Sequence, residues 1–144
     1  MQPTSQAAER LAKEFFFPGG PESMVAARQA IMDFVAPHCA NEVQEVDIFL
    51  ALQEALANAV VHGCGNDPAK TIHCSVLIEP AAFVITIRDP GSGFDVDAVH
   101  CGDEAVPNLT SSGRGICMMR SLMDEVIYRR GGSEVELRKL RVAA

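Results

Sequence analysis

Apolar and polar positions alternate along this chain in two rhythms, one helical and one of period two. Between residues 24 and 35, Val25, Ile31, Met32 and Val35 keep helical spacing, and Pro37 ends the run. A longer helix is expected to follow and to reach His62; Asn41 and Asp47 are both candidate N-caps, and the pattern does not choose between them. Gly63 suits the left-handed residue just past such a helix. Residues 71–79 and 83–89 are strand-like runs separated by Pro80-Ala81-Ala82, the layout of an antiparallel hairpin, and residues 125–130 and 133–140 repeat that layout around Gly131-Gly132. Phe15, Phe16 and Phe17, ended by the turn Pro18-Gly19-Gly20-Pro21, predict a short extended segment at the sheet edge. Periodicity lapses over residues 95–112, too long for an idle loop, so a mobile lid is expected there, followed by a helical run over 116–123. Arg138 and Lys139 interrupt the last strand-like run and read as a solvated sheet edge guarded against aggregation.

This order of elements predicts the α+β class: a two-layer α/β sandwich with a mostly antiparallel sheet and helices on one face. No parallel βαβ crossover is evident, and neither glycine cluster spells Gly-x-Gly-x-x-Gly or a Walker A sequence, which excludes the usual dinucleotide and P-loop sites.

Composition narrows the picture further. The 144 residues suit a single domain, and residues 1–14 are expected to be a mobile start. With 48% hydrophobic and 22% charged residues the chain is that of an ordinary globular protein rather than a disordered one. No long apolar run and no signal-like N-terminus occur, so the expectation is a cytoplasmic protein without membrane attachment. A formal net charge of −7 disfavours direct nucleic-acid binding. The five cysteines, an odd number without Cys-x-x-Cys spacing, are expected to be free thiols, and a metal-thiolate cluster among His62, Cys64, His73 and Cys74 is disfavoured.

Three stretches carry candidate chemistry. Glu54, Asn58 and His62 stand four apart on an otherwise apolar, alanine-rich helix, so they form one polar stripe with Cβ spacings of roughly 5–6 Å. On pattern alone, a solvated helix face is the commoner origin of such a stripe. Asp89-Pro90-Gly91-Ser92-Gly93-Phe94-Asp95 marks a tight bend where backbone passes close to something, or a plain surface turn. Ser111-Ser112-Gly113-Arg114-Gly115 opens a helix, whose free N–H groups and positive dipole end suit a phosphate, although a lone Gly-x-Gly is a weak signal.

Together, and in this order, Glu54-x-x-x-Asn58, Asp89-x-Gly91-x-Gly93 and Gly113-x-Gly115 resemble the N, G1 and G2 boxes of the GHKL ATPase superfamily. Asn58-Ala59-x-x-His62-Gly63 and Gly113-Arg114-Gly115-Ile116 followed by Met119-Arg120-Ser121-Leu122-Met123 look most like the anti-sigma factor serine/threonine kinases. The resemblance spans roughly residues 15–140 and implies the Bergerat ATP-binding fold. It further implies that Glu54 is the general base, Asn58 a Mg²⁺ ligand, and Asp89 the acceptor for the adenine amine. Gly91 and Gly93 would let backbone approach ATP, Ser133 would lie beside the adenine, and Gly113, Arg114 and Gly115 would close on the phosphates. By the same resemblance the acceptor is a serine on an anti-anti-sigma (STAS) protein, a sigma factor competes for the kinase, and the kinase is often a homodimer. A non-catalytic ATP-dependent sequestering module and a detached histidine-kinase ATP-binding domain are the alternatives. His62 is left outside the site.

Overall fold

The computed structural model describes residues 10–99, 101 and 111–141, the side chains of 111–113 excepted. Five strands form one antiparallel sheet: β1 (Leu11–Pro18), β2 (Thr71–Ile78), β3 (Ala82–Arg88), β4 (Glu125–Arg129) and β5 (Glu134–Leu140), in the spatial order β1-β2-β3-β5-β4. Among the described residues three α-helices accompany it: α1 (Met24–Val35), α2 (Glu42–Asn58) and α3 (Ser111–Leu122). This is the expected α+β sandwich.

The period-two pattern decides which sheet face is covered. Ile72, Cys74, Val76 and Ile78 of β2, Phe83, Ile85 and Ile87 of β3, and Val135 and Leu137 of β5 point to one side. There they meet Ile31 and Val35 of α1, Ile48, Leu52 and Leu56 of α2, and Ile116 and Met119 of α3 in one continuous core. Burying side chains of this size contributes about 1.5–3 kcal/mol each. The opposite face is mixed and carries the ladder Arg129–Glu136–Arg138, with both guanidinium-to-carboxylate distances at 2.8 Å.

Of the two candidate caps, Asn41 starts α2: its side chain accepts the Gln44 N–H at 2.9 Å, satisfying one of the orphan donors of the first turn. Asp47 lies inside the helix and pairs instead with Lys139 at 3.0 Å.

Several expectations are corrected. β1 begins at Leu11 rather than at the phenylalanines, because Leu11 to Glu14 pair with Ile78 to Ser75, so the part of the expected mobile start from Leu11 onward is ordered strand. Residues 1–9 lie outside the described residues, as do residue 100 and residues 102–110 of the expected lid; Val96–Ala98 at its start form a single 3-10 turn. β5 lies between β3 and β4, so Arg138 and Lys139 do not guard an edge: Arg138 pairs with Glu136 across the exposed face, and Lys139 donates to Asp47 and to the Leu122 carbonyl. The helical run after the lid starts at Ser111, so Gly113 and Gly115 lie in the first turns of α3 rather than ahead of it.

Cys101 and Cys117 are joined in a disulfide, with Cα atoms 5.2 Å apart, contrary to the expectation of five free thiols. The pair is brought together by folding, since the two stand sixteen positions apart in sequence. Cys39, Cys64 and Cys74 are free, and burial pushes the Cys74 thiol up to about 12. No helix among the described residues is long and apolar enough to cross a membrane.

Candidate functional site

The site assembles where the C-terminal end of α2 meets the loop after β3. α2 does not stop at Asn58 but widens into a π turn, Ala59–Gly63, with the Cys64 N–H donating to the Ala59 carbonyl at 2.8 Å. Such turns inside helices recur at functional sites. The left-handed residues that end the run are Gly65 (φ 60°) and Asn66 (φ 63°), so Gly63 is not the left-handed cap.

What Gly63 does is make room. A Cβ there would fall on the carboxyl carbon of Asp89, so the carboxylate lies directly on the helix backbone. Gly91 is similarly constrained, since a Cβ on it would stand 2.7 Å from the Gly63 carbonyl oxygen. The close approach expected of the Asp89–Gly93 bend is therefore partly an approach to α2. Gly93, at φ 82°, is pressed against the Gly131 carbonyl of the β4–β5 turn, and the Phe94 N–H donates to that carbonyl at 2.9 Å.

Asp89 is held from two sides. Its N–H donates to the Ser133 carbonyl at 2.9 Å, and its Oδ1 accepts the Gly91 N–H at 2.8 Å, an Asx turn. One carboxylate oxygen thus remains for a donor on a ligand. Burial pushes the carboxyl up from its ordinary value, and the Gly91 hydrogen bond offsets part of that rise. Ser133 is buried, and its hydroxyl donates to the Arg130 carbonyl at 3.0 Å, so it rigidifies the turn beside Asp89.

Glu54 and Asn58 sit one turn apart on α2, both half-buried. Among the described residues neither side chain has a hydrogen-bond or ion-pair partner. α3 closes on this end: a Cβ on Gly115 would stand 2.9 Å from Glu54 Oε2, so the glycine lets α3 lie close to that carboxylate without moving it. Gly113 lies in the first turn of the same helix, and Arg114 is exposed on it. His62 is exposed in the π turn.

α2 and its π turn act as a ruler, with Asp89 against Gly63 at one end and Glu54 nine residues earlier. At 1.5 Å per residue that is about 13.5 Å. A half-buried amide oxygen with no competing partner fits a hard divalent cation, which takes oxygen donors and keeps several waters. Sequence reasoning missed Gly63 as part of the site; its position one residue past the polar stripe was the signal.

The family model described as the histidine kinase-like ATPase domain matches residues 17–139. The anti-sigma F factor of Anoxybacillus flavithermus (strain DSM 21510 / WK1) is 36% identical over 118 residues, covering 78% of this chain and 81% of that protein. The anti-sigma F factor of Geobacillus stearothermophilus is 33% identical over 128 residues, covering 85% and 88%. Among solved structures, the RsbU and RsbW domains of Rv1364c from Mycobacterium tuberculosis align with a TM-score of 0.58 at 15% identity, over 93% of this chain and 35% of that one. The SiaB–SiaC complex from Pseudomonas aeruginosa aligns at 0.57 and 13% identity, over 95% and 91%. At such identities these two show a shared fold.

Proposed function

The chain belongs to the histidine kinase-like ATPase domain family, alongside the anti-sigma F factors, and from that premise we propose that it is an ATP-dependent serine/threonine protein kinase that also sequesters a sigma factor. The acceptor in this reading is a serine hydroxyl on a STAS-type anti-anti-sigma protein. The observation that supports it most is the pairing of an uncommitted, half-buried Glu54 with Asp89 at the far end of one helical ruler.

Asp89 accepts the adenine amine through its free carboxylate oxygen, a contact that Gly63 and Gly91 permit by leaving the space open. Asn58 would hold Mg²⁺ through its amide oxygen. When bound, that ion neutralises phosphate charge and orients the γ-phosphoryl group. Glu54 takes the proton from the attacking serine hydroxyl. Gly115 keeps α3 against Glu54, and the first turn of α3, with Gly113 and Arg114, faces the phosphates with its positive dipole end. The serine oxygen attacks phosphorus, the bond to the β-phosphate oxygen breaks, and ADP leaves. Phosphorylation releases the STAS protein and leaves the kinase, as a homodimer in the cytoplasm, free to hold the sigma factor.

The test is phosphoserine detection by mass spectrometry on the cognate STAS protein after incubation with the chain and Mg-ATP. Glu54→Gln should slow transfer by about 10²–10⁴-fold while nucleotide affinity is kept. Transfer undiminished in Glu54→Gln would remove Glu54 as base. ATP-dependent partner binding without any transfer by the unaltered chain would make this a sequestering module instead.

A further inference from the structure

Beside the nucleotide site lies a cleft of about 370 Å³ that shares Asp89, Gly91 and Ser133 with it and adds Phe16, Thr71, His73, Arg88, Pro90 and Arg130. No described residue of α2 or α3 lines it. The strand register puts Phe16, His73 and Arg88 in one row across β1, β2 and β3, all on the face that the helices leave open. Arg130 reaches the same cleft from the β4–β5 turn.

The charges here are unusual for so acidic a chain. Among the described residues neither Arg88 nor Arg130 has a hydrogen-bond or ion-pair partner for its guanidinium, although Glu134 stands opposite Arg88 in the β3–β5 register. His73, by contrast, is already engaged, its Nε2 lying 2.6 Å from Glu14 Oε1. Arg130 also adopts a left-handed backbone, φ 56°, unfavourable for a residue with a side chain, although Gly131 and Gly132 follow it directly. Strain of this kind persists where the side chain is needed in place. Phe16, 67% exposed, lies flat on His73 with ring centroids 4.6 Å apart and 7° between planes, and offers a planar apolar surface at the rim.

We propose that this cleft binds a small organic phosphate bearing a flat ring, its phosphate held by Arg88 and Arg130 and its ring against Phe16. Two planar guanidinium forks match phosphate oxygens bidentately, and a cleft of this size lies in the range of small-ligand sites. A concave setting strengthens their field relative to an open surface.

Phenyl phosphate is the probe, titrated by calorimetry into protein whose nucleotide pocket is filled with the non-hydrolysable Mg·AMP-PNP, and in parallel into protein alone. Saturable binding is expected in both, weakened about tenfold by Arg88→Gln and by Arg130→Gly, each removing one charge-assisted contact. Arg130→Gly relieves the left-handed backbone, so its loss of binding is not a failure to fold; unchanged AMP-PNP affinity confirms this. Phe16→Ser should weaken phenyl phosphate but not inorganic phosphate, and Arg10→Gln, a charge removed elsewhere, should change nothing. Absence of saturable binding, or binding indifferent to Arg88 and Arg130, overturns the proposal. Tighter capture of a phosphoserine peptide than of phenyl phosphate overturns it too, in favour of a protein ligand.

Discussion

The two glycine clusters of the site are built on different principles. The first, from Asp89 to Phe94, is stitched to the β4–β5 turn by backbone hydrogen bonds from Asp89 to Ser133 and from Phe94 to Gly131, with Gly93 pressed on Gly131. The second, Gly113 to Gly115, is the opening of a helix, positioned by the packing of Gly115 on Glu54 and by the disulfide from Cys117 to Cys101. The Asp89 end, which the proposed function assigns to the base, therefore inherits the rigidity of the sheet, whereas the Gly113–Gly115 end, assigned to the phosphates, depends on one helix and one covalent tie. The two ends should respond separately to perturbation.

Removing the tie is the largest break. Cys101→Ser with Cys117→Ser opens a loop of sixteen residues and should lower unfolding free energy by about 3 kcal/mol on chain-entropy grounds, measured by chemical denaturation. AMP affinity, which reads the Asp89 end, should stay unchanged; an equal fall in AMP and ATP affinity would show that the ends are coupled.

Gly63→Ala attacks the other end. Its Cβ displaces the Asp89 carboxylate from the helix backbone, so ATP affinity should fall by about 3 kcal/mol, the upper range for a charge-assisted hydrogen bond. Fluorescent-nucleotide titration measures it, and wild-type affinity would count against Asp89 as the adenine acceptor.

Asp89→Asn keeps an oxygen in place and loses only the charge, so about 1.5 kcal/mol is expected. Its pH behaviour is more diagnostic. Burial raises the folded carboxyl above its ordinary 3.8, so the ionised acceptor is lost on acidification while pH is still above 3.8. ATP affinity of the unaltered chain should fall there, and that of Asp89→Asn should not. The sign for folding is opposite: a raised carboxyl pKa means ionised Asp89 costs stability at neutral pH, a cost that vanishes below the ordinary value. Asp89→Asn should accordingly raise the unfolding temperature of the unliganded protein while weakening ATP.

The smallest effect concerns Tyr128, whose buried hydroxyl has no hydrogen-bond partner among the described residues and whose pKa burial pushes up to about 12. Its ring meets Phe94 edge-on at 5.4 Å, so it borders the first cluster through its ring alone. Tyr128→Phe should stabilise by about 1 kcal/mol at most and leave ATP affinity alone; a loss of affinity would reveal a ligand contact for the hydroxyl.

Much of the fold was legible before any coordinates. The hairpin around Pro80, the hairpin around Gly131-Gly132 and the helix leading to Asn58 all announce themselves through spacing and turn residues. The Asp89 bend was legible as a place of close approach, but not what it approaches. Arg138 and Lys139 were misleading because a charged residue in a strand marks an edge in isolation, whereas here Asp47, Glu136 and the Leu122 carbonyl accept their hydrogen bonds on an interior strand. Cys101 and Cys117 carried no motif, since their pairing depends on where α3 lies.

The sequence by itself determined the elements, the faces they bury, and the chemical types along α2: a carboxylate, an amide and an imidazole at helical spacing. These are local properties, written in periods of two and 3.6 and in caps and turns. Only the tertiary structure decided the strand order, the bond between Cys101 and Cys117, the seat of Asp89 on Gly63 and of Gly115 on Glu54, and the gathering of Arg88 and Arg130 in one cleft. Each of those joins segments distant in the chain, and no local period encodes which backbone will pass within contact of another.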